Sequence, residues 1–281
     1  MYKILNKEVL ANNVVRMKIL APNVALNCDA GQFIILMVDE FSERIPLTIA
    51  DFDRKEGTID IIFQIVGEST LKLNTKEVGD SIFSFVGPLG NASHVEGLDN
   101  VCVIGGGVGS AIAFPIVKKL HNLGKTTYSI AGFRNKDLVI LENEFRNNST
   151  KFVLMSDDGS VGKKGFVTNA LRNLIEEKVR IDHVFAIGPL IMMKNVVLLC
   201  KEFNIPVTVS MNPIMIDGTG MCGGCRLTVD GKIKFACVDG PEFDGTLIDF
   251  DEAIKRNSIY KEIERKKYDE YCNLLKEKKW V

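Results

Sequence analysis

The chain has no surplus of charge: 35 Lys and Arg stand against 36 Asp and Glu, a formal net charge of −1 over 281 residues. Proteins that hold nucleic acid or lie on a membrane surface need a basic excess, so the balance argues against both as partners. There is also no apolar run fit to span a bilayer. The longest uncharged stretch, 101–117, is shorter than the ~20 residues a span requires and contains four glycines and Pro115. The first ten residues carry Lys3, Lys7 and Glu8 and no apolar segment of signal-peptide type. These absences predict a soluble, cytoplasmic protein. Histidine is scarce: His94, His121 and His183 share no metal-binding spacing, and no Ser-His-Asp or Cys-His constellation is visible. Seven cysteines is an odd number in a chain far longer than the small secreted domains that disulfides staple, which points to reduced thiols or a metal site. Four are scattered (Cys28, Cys102, Cys200, Cys272) and three are bunched (Cys222, Cys225, Cys237).

What is present divides the chain. Residues 1–97 hold short β-branched and apolar runs at 14–20, 32–38, 58–66 and 81–86, separated by turn residues at Pro22-Asn23, 53–57, Gly79-Asp80 and 87–90. That spacing predicts a small antiparallel barrel, with one helix over 70–76. Over 98–211 strands and helices alternate: strands at 101–104, 126–133, 151–156, 183–187 and 207–211, and helices at 110–123, 137–147, 168–175 (capped by Thr168) and 190–203. Alternation predicts a doubly wound parallel sheet with helices on both faces. Residues 212–245 form a glycine- and cysteine-rich lobe. Residues 246–281 form a charged helical extension in which Ile259, Ile263, Tyr268, Tyr271 and Leu275 recur at helical intervals.

The sharpest motif is Asp217-Gly-Thr-Gly-Met-Cys222-Gly-Gly-Cys225 with Cys237 beyond it. Plant-type [2Fe–2S] sites use Cys-x4-Cys-x2-Cys and a distant fourth Cys. An aspartate in the first place keeps the anionic charge that ferric iron requires. A structural zinc and a redox Cys-x-x-Cys pair are the competing readings of the residues alone. A second motif, Gly105-Gly106-Gly107-Val-Gly109, follows a strand and opens a helix, where backbone N–H groups can hold a phosphate. Gly188-Pro189 makes a second strand-end turn in the same half, and Arg134, Lys136, Lys163 and Lys164 could meet phosphate charge. No acidic residue stands about 20 positions beyond the loop, so NAD and NADP are not distinguished. A third group is Arg44-Ile-Pro46-Leu47-Thr48 and Gly67-Glu-Ser69-Thr70, where a guanidinium, two hydroxyls and a helix start could share a pyrophosphate.

Barrel, nucleotide-type domain and cluster lobe, in that order, resemble the ferredoxin-reductase superfamily over residues 1–245. The chain is most similar to the iron–sulfur flavoprotein branch that includes dihydroorotate dehydrogenase electron-transfer subunits. The resemblance implies FAD on Arg44, Pro46, Leu47 and Thr48, on the strand segment Phe63, Gln64 and Ile65, and on the turn Gly67, Ser69 and Thr70. It implies NAD(H) along Gly105, Gly106, Gly107, Gly109, Arg134, Asp158, Gly188 and Pro189. Four segments, 43–51, 131–137, 156–162 and 186–193, together with Asp217, resemble more closely the small subunits of NADH-dependent reduced ferredoxin:NADP⁺ oxidoreductases, also known as sulfide dehydrogenase subunits. That likeness implies a [2Fe–2S] cluster on Asp217, Cys222, Cys225 and Cys237. It also implies hydride exchange between nicotinamide and flavin, single-electron exchange with the cluster, and a larger flavin- and [4Fe–4S]-bearing partner through which ferredoxin is reached by electron bifurcation. Thr48 is the residue expected near flavin N5, and no catalytic acid or base is named. Ile187 stands where many of these reductases have the Cys of a Cys-Gly-Pro turn. The alternatives are a subunit of a dihydroorotate or sulfide dehydrogenase and, in a different class, a zinc-bearing nucleotide-binding regulator.

Overall fold

The computed structural model describes residues 2–278. The amino-terminal half is antiparallel: β1 (Tyr2–Ala11), β2 (Val14–Leu20), β3 (Phe33–Met37), β4 (Ile45–Asp53), β5 (Thr58–Gln64), β6 (Ser81–Ile82) and β7 (Ser84–Leu89), with helices α1 (Pro22–Asn27) and α2 (Glu68–Asn74). The strand order is β6-β1-β2-β5-β4-β3-β7. The two edge strands follow one another through Phe83, so the sheet curls into a nearly closed barrel. Alternation builds its interior. Val15, Met17 and Ile19 of β2 and Ile59, Ile61 and Phe63 of β5 point inward and are buried, while Arg16 and Lys18 between them reach solvent. Helix α1 occupies the segment expected to be a plain turn. Pro22 starts it, because proline lacks only an N–H that a first turn leaves unused.

The second half has parallel strands β8 (Asn100–Gly106), β9 (Thr126–Phe133), β10 (Lys151–Ser156), β11 (Lys163–Lys164), β12 (His183–Ile187) and β13 (Val207–Ser210). Helices α3 (Gly109–Asn122), α4 (Glu142–Asn148), α5 (Val167–Glu176) and α6 (Leu190–Glu202) alternate with them. The order β11-β10-β9-β8-β12-β13 reverses direction between β8 and β12, the switch point at which open α/β sheets bind ligands. Two helical expectations change. The segment 137–147 divides into a short 3-10 turn at Lys136–Leu138 and α4. Thr168 is not the cap of α5, because the Phe166 N–H donates to the Asn169 side chain (2.9 Å) and Thr168 lies in the first turn.

After a hairpin of β14 (Arg226–Val229) and β15 (Lys232–Phe235), the chain returns to the main sheet as β16 (Glu242–Asp244), antiparallel to β13. The charged extension is two helices, α7 (Phe250–Asn257) and α8 (Lys261–Lys278), broken at 258–260. Ile259 falls in that break, Ile263 is exposed, and Tyr268 and Tyr271 are half-buried; the side chain of Leu275 lies outside the described residues. No helix among the described residues is long and apolar enough to cross a membrane.

The barrel has its own interior, and two further apolar clusters join the halves. Phe33 and Ile35 of the barrel belong to the one that holds Ile104, Ala186, Met211 and Met215. Ion pairs brace the joint: Lys118 of α3 donates to both carboxylate oxygens of Asp51 on β4 (2.7 and 2.8 Å), and Lys119 to Asp29 (2.9 Å). Each half-exposed pair contributes on the order of 1 kcal/mol or less; the shared apolar clusters contribute more, at about 1.5–3 kcal/mol per large side chain buried.

Candidate functional site

A cleft of about 980 Å³ runs between the barrel and the carboxyl ends of the parallel strands. The barrel supplies Pro46, Leu47 and Thr48 from β4, Phe63 and Gln64 from β5, and Thr70 from α2. Strand β4 pairs with β3 so that Thr48 faces Phe33 and Pro46 faces Ile35, which sets the wall's register. The opposite wall is Gly106, Gly107 and Gly109 at the end of β8 and the turn beyond it, Gly132 to Arg134 at the end of β9, and Gly188-Pro189 after β12.

Steric demand explains the glycines. A Cβ on Gly109 would sit 2.7 Å from the Gly188 Cα and 2.7 Å from the Ile187 carbonyl oxygen, so the two strand-end turns touch only because position 109 has no side chain. A Cβ on Gly105 would sit 2.7 Å from the Ser110 Cα, which is how the first turn of α3 comes down onto the strand end. Gly107 has φ +55° with open space where a side chain would be. The cleft therefore has a backbone-lined cradle at the start of a 14-residue helix, which fits a nucleotide phosphate.

Of the expected residues Arg44, Ile65, Gly67, Ser69 and Asp158 lie off the wall, and Phe63 and Thr70, which line it, are engaged elsewhere as well. Arg44 is exposed just before β4 and has no ion pair among the described residues. Ser69 donates to Glu43 (3.1 Å), and the Thr70 hydroxyl accepts from the Val66 and Gly67 N–H groups (3.1 Å each). Gly67 is the cap position of α2, and the Ile65 N–H donates to the Asn13 carbonyl (2.8 Å). The ring of Phe63 is buried in the barrel core. Asp158 does not reach the cleft. Its carboxylate accepts from the N–H and hydroxyl of Ser160 (2.9 and 2.7 Å), which hold it below the usual carboxylate range in an exposed turn. Its neighbour Asp157 lines the cleft instead.

Sequence reasoning also missed Phe33, Phe166, Met192, Asn195 and the segment 210–213. Part of this was available from one rule, that residues just past the carboxyl end of each parallel strand line the crevice. Applied to β10 and β13, it yields Asp157 and Met211–Pro213.

The cluster loop lies beside this cleft. Asp217 accepts the Thr219 N–H (2.8 Å) and the Cys222 N–H (3.0 Å), bonds that hold its carboxylate below the usual range. Gly218, Gly220 and Gly223 all have left-handed φ, between +68° and +82°. The sulfurs of Cys225 and Cys237 are 3.2 Å apart and buried, while Cys222 is exposed. Burial, with the Cys225 thiol adding to it, pushes the Cys237 thiol up to about 12. Two neighbouring thiolates here would need cationic compensation, which iron would supply if bound. The donor set, three thiols and a carboxylate on one glycine-rich loop and its hairpin, fits an iron–sulfur group. Among the described residues Cys225 and Cys237 are in contact through their sulfurs and Asp217 bonds Cys222, but no three ligating side chains close on one metal position.

The comparisons agree with this geometry. Residues 212–249 match the family model of the iron-sulfur cluster binding domain of dihydroorotate dehydrogenase B. The chain is 45% identical over 269 residues to a Thermotoga maritima homolog of the dihydroorotate dehydrogenase B (NAD(+)) electron transfer subunit, covering 96% of this chain and 95% of that protein. It is 33% identical over 221 residues to the Clostridium acetobutylicum electron transfer subunit of that enzyme, covering 77% and 84% respectively. Among solved structures, a chain of the NADH-dependent reduced ferredoxin-NADP oxidoreductase, studied for flavin-based electron bifurcation, superposes with a TM-score of 0.91 at 43% identity, covering 97% of this chain and 98% of that one.

Proposed function

The chain belongs to the family of dihydroorotate dehydrogenase B electron-transfer subunits, within the ferredoxin-reductase superfamily, and from that premise we propose that it is the NAD(H)-handling subunit of an electron-bifurcating ferredoxin:NADP⁺ oxidoreductase. It is an electron-transfer subunit of oxidoreductase type with an iron–sulfur domain. The proposed cofactors are FAD, NAD(H) and a [2Fe–2S] cluster, and the proposed partner is a larger subunit carrying flavin and [4Fe–4S] clusters. When bound, these groups convert two-electron hydride chemistry to single-electron transfer.

The chain's own residues position them. Pro46, Leu47 and Thr48 would lie along the flavin ring, with the Thr48 hydroxyl near N5. Arg44, Ser69 and Thr70 would take the pyrophosphate once Ser69 leaves Glu43. Gly106, Gly107, Gly109 and Gly188 would admit the nicotinamide nucleotide, with Arg134 beside its phosphates. Asp217, Cys222, Cys225 and Cys237 would ligate the cluster.

One observation carries this reading: a single cleft has the flavin-type wall on one side and the nucleotide-type cradle on the other, with the cluster loop packed directly behind the flavin-type wall. Identity does not separate the two types, at 43% to the bifurcating oxidoreductase chain and 45% to the dihydroorotate dehydrogenase subunit homolog; Asp217, in the place of a first cluster cysteine, supports the bifurcating type.

The test is spectroscopic. The isolated protein should carry flavin absorbance, bleach with NADH, and give a [2Fe–2S] EPR signal on reduction. Cys225→Ser should lose that signal and keep FAD. Arg44→Ala should raise the Kd for FAD about tenfold, or about 1.4 kcal/mol. A colourless protein with bound zinc would establish the regulator reading instead. Co-purification with a partner that oxidises dihydroorotate would establish the dihydroorotate subunit.

A further inference from the structure

Two guanidinium groups grip the cluster loop from outside. Arg226, at the start of β14, donates from Nη1 to the Gly223 carbonyl (3.2 Å), and Arg256, reaching back from α7, donates from Nη2 to the Gly224 carbonyl (3.4 Å). These are the two residues between Cys222 and Cys225. Among the described residues neither guanidinium has a carboxylate within 4.0 Å, whereas Lys194 is paired with Asp251 and Lys234 with Asp239. Both arginines line a small cavity of about 210 Å³ whose other walls include Leu190, Met211 and Tyr260; Arg256 is half-buried, whereas Arg226 is exposed and the more strongly screened of the two. A charge that is unpaired, partly desolvated and fixed by a hydrogen bond acts on its surroundings more strongly than a solvated one.

We propose that Arg226 and Arg256 are positioning residues that raise the reduction potential of the cluster held by Asp217, Cys222, Cys225 and Cys237. This rests on the iron–sulfur reading of that loop and adds a role to two residues outside the ligand set. Reduction adds one electron to the cluster. No bond forms or breaks and no proton moves, so the group gains one unit of negative charge. Fixed positive charge at the loop favours that reduced form, because net charge and hydrogen bonding around a cluster set its potential. The three thiolates and one carboxylate already make the site strongly anionic, which makes the compensating charge matter. The extension that begins at α7 thereby contributes to the electron-transfer chemistry of the lobe.

The experiment is an EPR-monitored redox titration of the holoprotein with dithionite. Gln keeps an N–H donor for the carbonyl and removes the charge; Lys keeps the charge. Arg256→Gln should make cluster reduction about three- to tenfold less favourable, tenfold being about 59 mV for one electron. Arg256→Lys should stay near wild type, and Arg226→Gln should shift in the same direction as Arg256→Gln. Wild-type reduction equilibria in both Gln variants, or an equal shift in Arg256→Lys and Arg256→Gln, would overturn the proposal. Should Arg256→Gln fail to hold its cluster, Arg226→Gln decides: a lowered potential supports the assignment and an unmoved one refutes it. Absence of any iron–sulfur signal in the wild-type protein would instead refute the cluster reading beneath it.

Discussion

Ile35 and Gly218 are in contact across the joint between the barrel and the cluster loop: a Cβ on Gly218 would lie 2.6 Å from the Ile35 Cδ1 and 2.9 Å from the Leu89 Cδ1. Ile35 is paired on the sheet with Pro46, which lines the cleft, and Gly218 follows Asp217. One buried side chain therefore separates the flavin-type wall from the cluster loop. This closeness depends on a residue without a side chain. Gly218→Ala should cost about 1 kcal/mol by overpacking, since the new methyl meets the ends of two side chains rather than backbone, and lower the iron content of the purified protein. Gly231→Ala is the control, since Gly231 has φ +68° but nothing within 4 Å of a new methyl. Thermal unfolding and iron analysis compare the two; equal effects would show that backbone strain alone is responsible.

The contact of Gly109 with Gly188 makes a parallel prediction for the nucleotide. Gly109→Ala must push the β8 and β12 turns apart, because its methyl would meet backbone rather than a movable side chain. It should raise the Kd for NADH at least tenfold, or about 1.4 kcal/mol, while FAD stays bound. Gly107→Ala, whose methyl would enter open space, should have a smaller effect. Fluorescence titration with NADH measures both. Unchanged binding in Gly109→Ala would place the nicotinamide nucleotide elsewhere.

These contacts also mark how far the sequence could be read. The central parallel strands were legible because strands covered on both faces are continuous apolar runs, as in Val101 to Ile104. The glycine loop and the cysteine spacing were legible because they are local. Strand β1 was not, since only Ile4 of its ten residues is buried and so no apolar alternation marks it. Strand β16 was hidden for another reason: three residues at the end of the lobe rejoin a sheet whose other strands are all parallel. Asp157 and Asp158 were separable only by backbone direction, which sends one to the cleft and ties the other to Ser160. Contacts such as Ile35–Gly218 and Arg256–Gly224 join distant segments, and no spacing rule reports them.

Glu242 gives the protein a pH-dependent stability of defined sign. It stands on β16 beside Gly31, accepts the Ser93 hydroxyl (2.6 Å), and desolvation pushes its carboxyl up to about 7 despite the nearby Lys119. The folded state therefore holds a proton that the unfolded state releases near pH 4.5. This contribution is fully present below the unfolded value and is lost as pH rises toward 7. Its size is on the order of 3 kcal/mol at most. Glu242→Gln should flatten the stability profile between about pH 4.5 and 7 and be more stable than wild type at pH 8. Urea unfolding across that range checks it, and parallel profiles for the two proteins would remove Glu242 from the account.

Asp217 can serve the loop in two ways, and two substitutions separate them. Its Oδ1 accepts the Thr219 N–H and its Oδ2 the Cys222 N–H, so it shapes the turn that presents Cys222; as an anion it can also ligate iron. Asn keeps an acceptor for the first bond and loses the charge, whereas Cys keeps an anionic ligand and loses both bonds. A ligand role predicts that Asp217→Cys holds a cluster with altered EPR g-values and a shifted potential, and that Asp217→Asn loses most of its iron. A purely shaping role predicts the reverse: Asn retains a cluster with the wild-type spectrum, and Cys disorders the loop. The first outcome is expected, because Asp217 stands at the position where plant-type sites carry their first cysteine and the three remaining thiols lack a fourth protein ligand without it.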